Sequence, residues 1–359
     1  MKNAKVIVSL VVLALLLGLG FWAYYHVNFS FANFRDQLQL ADWSKIVIGL
    51  GCIYLAYVVR GIRWALLVRP NKKIPLFSLV GTQVIGFTSV ALVGRVADLT
   101  RPYLTAKKTG LALSTQIAVY IVERLFDAGS MALIFSTAIL LAPAGALPHP
   151  EVFKKVGYWG LAGTVAGALF LVLVRLAGGV VASFFERTFG ALSKSLGHAI
   201  GEKIRSFRTG LNTLRTPADL AITLAVSLAM WGLITAAYYE TARAFVANPQ
   251  LATLTVAQGL VLMIVSGGAS VFQLPILGWF TQIGIVATAI SKFFGVAPEP
   301  ATACAAMLLV VTFLGVVPVG LIWAQFEHVS LRKVAAESEH AAEVDEDASQ
   351  KPVEEPSGA

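Results

Sequence analysis

The sequence predicts an all-α fold: a polytopic helical membrane protein of about eight transmembrane helices plus one re-entrant segment. Three observations lead there. Of the 359 residues, 57% are hydrophobic and only 13% are charged, about half the charged share of ordinary soluble domains. Several apolar runs exceed the ~18 residues that a helix needs to cross a hydrocarbon core. Basic residues cluster between the runs in the manner that orients helices in a bilayer.

Taken in order, the expected spans are residues 6–25, 44–68, 114–142, 156–174, 220–242, 254–271, 277–294 and 301–325. The first, preceded by Lys2 and Lys5, is long and has no A-x-A site after it, so it is expected to remain as an uncleaved span. The run at 76–93 is read as re-entrant. With the N-terminus inside, Arg69, Lys72 and Lys73 fall inside after two crossings. A full crossing at 76–93 would then put Arg101, Lys107, Lys108 and the basic 175–217 stretch outside, against the positive-inside rule. A re-entrant turn keeps every cluster cytoplasmic, together with both termini. The expected location is a bacterial inner membrane.

The stretch 175–217 carries Phe184, Phe185, Phe189, Leu192 and Leu196 at roughly helical spacing among Lys and Arg. An amphipathic interfacial helix fits that pattern; a plain solvated loop is the alternative. Residues 1–326 form the expected membrane domain. Residues 327–359 hold nine of the twenty acidic residues and few large apolar ones, so a disordered cytoplasmic tail is expected, one that could meet enzymes of lipid synthesis. The body before it, with 25 basic and 11 acidic residues, suits anionic lipids at a cytoplasmic face. It lacks a soluble domain with a basic groove, so nucleic acid is not an expected partner. Cys52, Cys304 and the five scattered histidines show no disulfide or metal spacing. No metal, cofactor or catalytic residue is expected.

Charges within or beside spans are costly, and each is a candidate for function. Arg60 and Arg63 share a helix face, with Trp64 beside them. They suit either interfacial anchoring or contact with a headgroup. Arg95, Asp98 and Arg101 follow the re-entrant run, where arginine forks could hold a phosphate or form a structural ion pair. Glu123, Arg124 and Asp127 lie inside a span; Asp127 sits roughly 20 Å along it at ~1.5 Å per residue. A carboxylate there must be protonated, paired or wet. Arg95 or Arg101 is the expected partner, and Arg124 is judged to point away. In 266–282, Gly and Pro interrupt an apolar stretch that includes Pro275, Gly278 and Gln282. A broken helix of the kind that binds substrate is one reading, and a turn between two spans the other.

Arg60-x-x-Arg63-Trp64, Gly94-Arg95-x-x-Asp98-x-x-Arg101-Pro102-Tyr103, Glu123-Arg124-x-x-Asp127 and Pro275-x-x-Gly278-x-x-x-Gln282 together resemble the motifs of the lysylphosphatidylglycerol synthase transmembrane region family, flippase-like integral membrane proteins. The resemblance covers about residues 5–325 and implies lipid handling. It departs at Ala97-Asp98, where the family pattern has Gly-Glu, at Gln282, where many members have Glu, and at Ile276-Leu277, where they have Gly-Gly. The resemblance implies a protein that binds and translocates an anionic or amphipathic lipid between leaflets. Arg95, Arg101 and Arg63 would meet phosphate, while Glu123 and Asp127 would hold those arginines or meet a cationic headgroup. The rival readings are a membrane-embedded lipid-modifying enzyme and a non-catalytic subunit of a lipid-synthesis complex. Aminoacyl transfer is not expected, since only the acidic tail follows the last span.

Overall fold

A computed structural model describes residues 30–143, 145, 147, 150–190, 193, 216–270, 277–331 and 334. The expected first span, Pro275 and the acidic tail beyond 334 lie outside them. So do Leu192, Leu196 and the rest of the basic stretch up to 215.

Among the described residues all regular secondary structure is helical. It runs as α1 (Phe31–Gln39), α2 (Trp43–Val68), α3 (Val80–Val93), a 3-10 turn (Arg95–Leu99), α4 (Thr100–Thr109), α5 (Leu113–Leu140) and α6 (Pro150–Gly190). Then follow α7 (Pro217–Arg243), α8 (Pro249–Ala252), α9 (Val256–Ala269), α10 (Leu277–Phe294), α11 (Pro298–Leu309), a π-helical turn (Val310–Leu314) and α12 (Val316–Phe326). Local chemistry sets the starts. Asp42 caps α2 by accepting from the Ser44 amide at 3.1 Å. Thr216 with Asp219 and Thr255 with Gln258 form reciprocal capping boxes on α7 and α9, which satisfy amides that have no partner within the helix.

α2, α7 and the joined α11–α12 are each long and apolar enough to cross a bilayer. Their outward faces stay apolar, as Val47, Leu55, Ile222 and Ile322 show, the pattern of helices whose solvent is lipid. α2 lies against α7 along its length, from the Asp42 amide bonded to the Ala244 carbonyl to Arg63 bonded to Ser227. The two helices therefore run antiparallel. The core between them, α9 and α11 includes Ile53, Tyr238, Met263 and Leu308.

α3 has 14 residues, about 21 Å of rise, short of a ~30 Å hydrocarbon core. The chain turns at Gly94, whose φ of 93° and ψ of −170° suit glycine almost alone. α4 then returns. The Lys72 ammonium, just beyond α2, donates to the Thr109 carbonyl at the end of α4, 2.7 Å away. Entry and exit of this segment thus lie side by side, as expected of a re-entrant run.

Two features differ from these expectations. The expected span 254–271 is helical over only 14 residues in α9. α9 pairs with α10 through Gln282 and Ser266, and the pair starts and finishes at the end of the molecule away from Lys72. There Leu147 packs with Ala257 and Phe153 meets Phe293. The helix expected to stop at 174 continues to Gly190, with a kink at Ala177 (φ −127°, ψ 33°). Beyond the kink it folds back far enough for Phe185 to sit edge-on to Phe170, 6.1 Å between centroids. The described part of the 175–217 stretch is therefore helix, as its spacing predicts, with Phe184 exposed.

Candidate functional site

Six charged residues from three helices meet in the middle of the bundle. α2 supplies Arg60 and Arg63, one turn apart. α4 supplies Arg101, which the return from Gly94 brings alongside α5. α5 supplies Glu123, Arg124 and Asp127 on adjoining positions of one face. Arg63 is fully buried and is held by both carboxylates: it donates to Glu123 at 2.7 Å and to Asp127 at 2.7 Å, and also to the Ser227 hydroxyl at 2.9 Å. Arg101 donates to Glu123 Oε2 at 3.1 Å and to the side-chain Oε1 of Gln83 at 3.2 Å. Arg60 reaches Glu123 at 3.4 Å. The Trp231 indole N–H donates to Asp127 at 3.1 Å.

This geometry corrects three expectations. The helix positions predict that Arg124 points away from Asp127, yet its guanidinium lies 2.9 Å from Asp127 Oδ2. Residues three apart are neighbours on a helix, and the long arginine side chain swings back along the surface. The nearest partner of Asp127 is Arg63, not Arg95 or Arg101. Arg63 and Arg60 are not snorkelling anchors either, because both point inwards and are buried.

Aromatic faces complete the packing. Phe87 on α3 lies 4.7 Å from both the Arg60 and Arg101 guanidinium carbons. Tyr120 lies 5.0 Å from Arg101 and 5.2 Å from Arg124. Such faces attract cations where water is scarce. They also explain how four guanidinium groups coexist around two carboxylates. A Cβ on Gly86 would collide with the Arg101 side chain, so glycine there gives the arginine its room.

The cluster opens into a cavity of about 260 Å³. Arg60, Asp98, Arg101, Arg124 and Asp127 line it, with Phe87, Val90, Met131 and Trp231 as apolar and aromatic wall. Glu123 and Arg63 stand behind this lining. A second polar group, Tyr238, Ser266, Gln282 and Thr312, lines the same cavity. There the Gln282 amide donates to the Ser266 hydroxyl at 2.7 Å. Thr312 belongs to the π-helical turn, a distortion that often marks functional sites. Gly278 is buried on α10. Arg95 opens the 3-10 turn. Phe87, Trp231 and Ser227 were absent from the sequence reading, since single aromatic or hydroxyl residues inside apolar helices carry no local signal.

Apolar crossing helices around a buried, charge-lined cavity define a multi-pass integral membrane protein. Residues 6–320 match the lysylphosphatidylglycerol synthase TM region, and the chain belongs to that family. No curated protein and no solved structure matches it.

Proposed function

We propose that this protein binds the anionic headgroup of a membrane lipid in the central cavity and carries it between leaflets while the acyl tails stay in the bilayer. The carrying observation is the sign of the cavity. Arg60, Arg63, Arg101 and Arg124 face Glu123, Asp127 and the nearby Asp98, so positive charge is in excess. Buried charge without a counterpart is expensive, and a phosphate entering here would complete the balance. Among the described residues Arg60 makes one long hydrogen bond, to Glu123, and a looser ion pair with Asp127 at 3.6 Å, which leaves several of its five N–H donors for such a ligand. Arg124 has 42% of its side chain exposed and provides an edge through which a headgroup can enter. Family membership supports a lipid-related role. The tails need no site of their own, because the outward faces are already apolar.

The test is leaflet exchange of fluorescent phosphatidylglycerol in proteoliposomes, read by quenching of the outer leaflet. Exchange should be faster than in protein-free vesicles, and the double substitution Arg60→Gln, Arg101→Gln should lower it at least about tenfold. Each lost charge-assisted hydrogen bond is worth about 1.5–3 kcal/mol. Exchange no faster than in empty liposomes would overturn the proposal.

A further inference from the structure

The second polar group in the cavity has no part in the phosphate chemistry above. Gln282 is 5% exposed, and its side-chain oxygen has no hydrogen-bond partner among the described residues. The other end of its amide is spent on Ser266. Tyr238 lies against both Ser266 and Thr312. All four residues line the cavity, and all are uncharged. The charged residues that line it are the arginines and aspartates of the first group, among the described residues.

A buried amide oxygen left unpaired is costly, and it faces a space that a ligand would fill. We infer that this group is a subsite for a hydroxyl-bearing portion of the same lipid headgroup, so that the ligand is a phosphodiester joined to a polyol rather than to an amine. This rests on the proposed function, since it assumes the phosphate sits at the arginines. The chemistry selects hydroxyl for two reasons. A hydroxyl both donates and accepts, so it satisfies Gln282 whichever way the amide is turned, and it can extend to Ser266 or Tyr238. An ammonium only donates, and of the carboxylates that line the cavity, Asp98 and Asp127, both belong to the arginine cluster, where Asp127 is already paired with Arg63 and Arg124. Met263 and Ile53 complete the cavity wall and reject further charge.

The experiment compares two lipids of equal charge. The full chain, in phosphatidylcholine nanodiscs, is titrated with phosphatidylglycerol and with phosphatidylethanol, and bound lipid is counted by native mass spectrometry. The two are phosphodiester monoanions that differ in the glycerol hydroxyls. Phosphatidylglycerol should bind more tightly by about fivefold or more, the worth of one net hydrogen bond. Gln282→Leu should reduce phosphatidylglycerol to the phosphatidylethanol level and leave phosphatidylethanol unchanged. Equal binding of the two lipids by the unaltered protein would overturn the subsite without needing any variant to fold, and would leave the anionic site standing. Binding of neither lipid above the phosphatidylcholine background would instead overturn the anionic site and the subsite with it. Free glycerol 3-phosphate, added as competitor, should displace little lipid; displacement at matched concentration would assign the subsite to a soluble phosphate ester and overturn the lipid assignment.

Discussion

Glu123 and Asp127 sit one helical turn apart and answer to the same arginines, yet their surroundings differ. Glu123 is 1% exposed and receives Arg63, Arg101 and Arg60. It stands behind the cavity lining, where water cannot replace a lost charge. Glu123→Gln leaves three guanidinium groups short of one carboxylate, so it should destabilise the protein by about 3–5 kcal/mol. Asp127 lines the cavity, where a solvated arginine is less costly. Asp127→Asn should therefore move the thermal unfolding midpoint much less while reducing leaflet exchange at least about tenfold through the loss of a charged partner. Unfolding curves in detergent and exchange rates in proteoliposomes separate the two. A Glu123→Gln protein as stable as the parent would show that the cluster is wet throughout. The residue types of this cluster were legible in the sequence because charge in an apolar run stands out. Their pairing was not. Arg63 lies 64 positions from Asp127, and only the antiparallel packing of distant helices decides which arginine is nearest. Nor was the contact of Arg124 with Asp127 legible, because side-chain direction at the Cα does not fix where a flexible arginine ends, and it can turn to a neighbour three residues away.

The α3–α4 hairpin is what places Arg101. Its apex at Gly94 has a conformation closed to other residues at low cost, and Gly86 makes space for the arginine against α3. Gly94→Ala should cost about 1–3 kcal/mol of strain and disturb the register of Arg101. The expected result is a lower unfolding midpoint together with weaker phosphatidylglycerol binding. Unchanged binding in a folded Gly94→Ala protein would show that α4 is positioned by α5 and α12 alone. This hairpin was readable from sequence, because the charge distribution favours a re-entrant turn at 76–93 over a full crossing. The shortness of α9 was not. Residues 254–271 have a continuous apolar character, and hydropathy measures composition rather than where a helix stops. Likewise nothing in the apolar run 301–325 announces the π-helical turn Val310–Leu314, where Tyr54 donates to the Gly315 carbonyl at 2.7 Å.

On the scale of the whole molecule, two short helices approach the cavity from opposite ends. α3 starts near Lys72 and contributes Phe87 and Val90; α9 starts near Leu147 and contributes Met263 and Ser266. Irregular backbone at membrane depth is tolerated where it lines a cavity rather than lipid, so the arrangement agrees with a central polar path. It also gives the molecule two distinct ends. At one lie Arg69, Lys72, Lys73, Lys107 and Lys108, with Lys108 bonded to Glu327 beyond α12 at 2.6 Å. At the other lie Asp42, Asn248 and the start of α6, where Lys154 and Lys155 accompany Glu151, and Glu299 accepts from the Ser30 amide. Loop arginines and lysines favour the cytoplasm because they resist translocation and are drawn to anionic lipid there. The Lys72 end should therefore be cytoplasmic. Single cysteines at Lys72, Lys107 and Glu327, in a background with Cys52 and Cys304 replaced, should react with an impermeant maleimide only after the cells are permeabilised. Cysteines at Asn248 and Glu151 should react in intact cells. The result that matters most is the pair Lys72 and Lys107. If 76–93 crossed the bilayer, the two positions would label from opposite sides, whereas the bond from Lys72 to the Thr109 carbonyl requires the same side. Labelling of Lys107 alone in intact cells would defeat the re-entrant fold and, with it, the placement of Arg101 in the cavity. Labelling of both in intact cells would keep the fold and reverse its orientation.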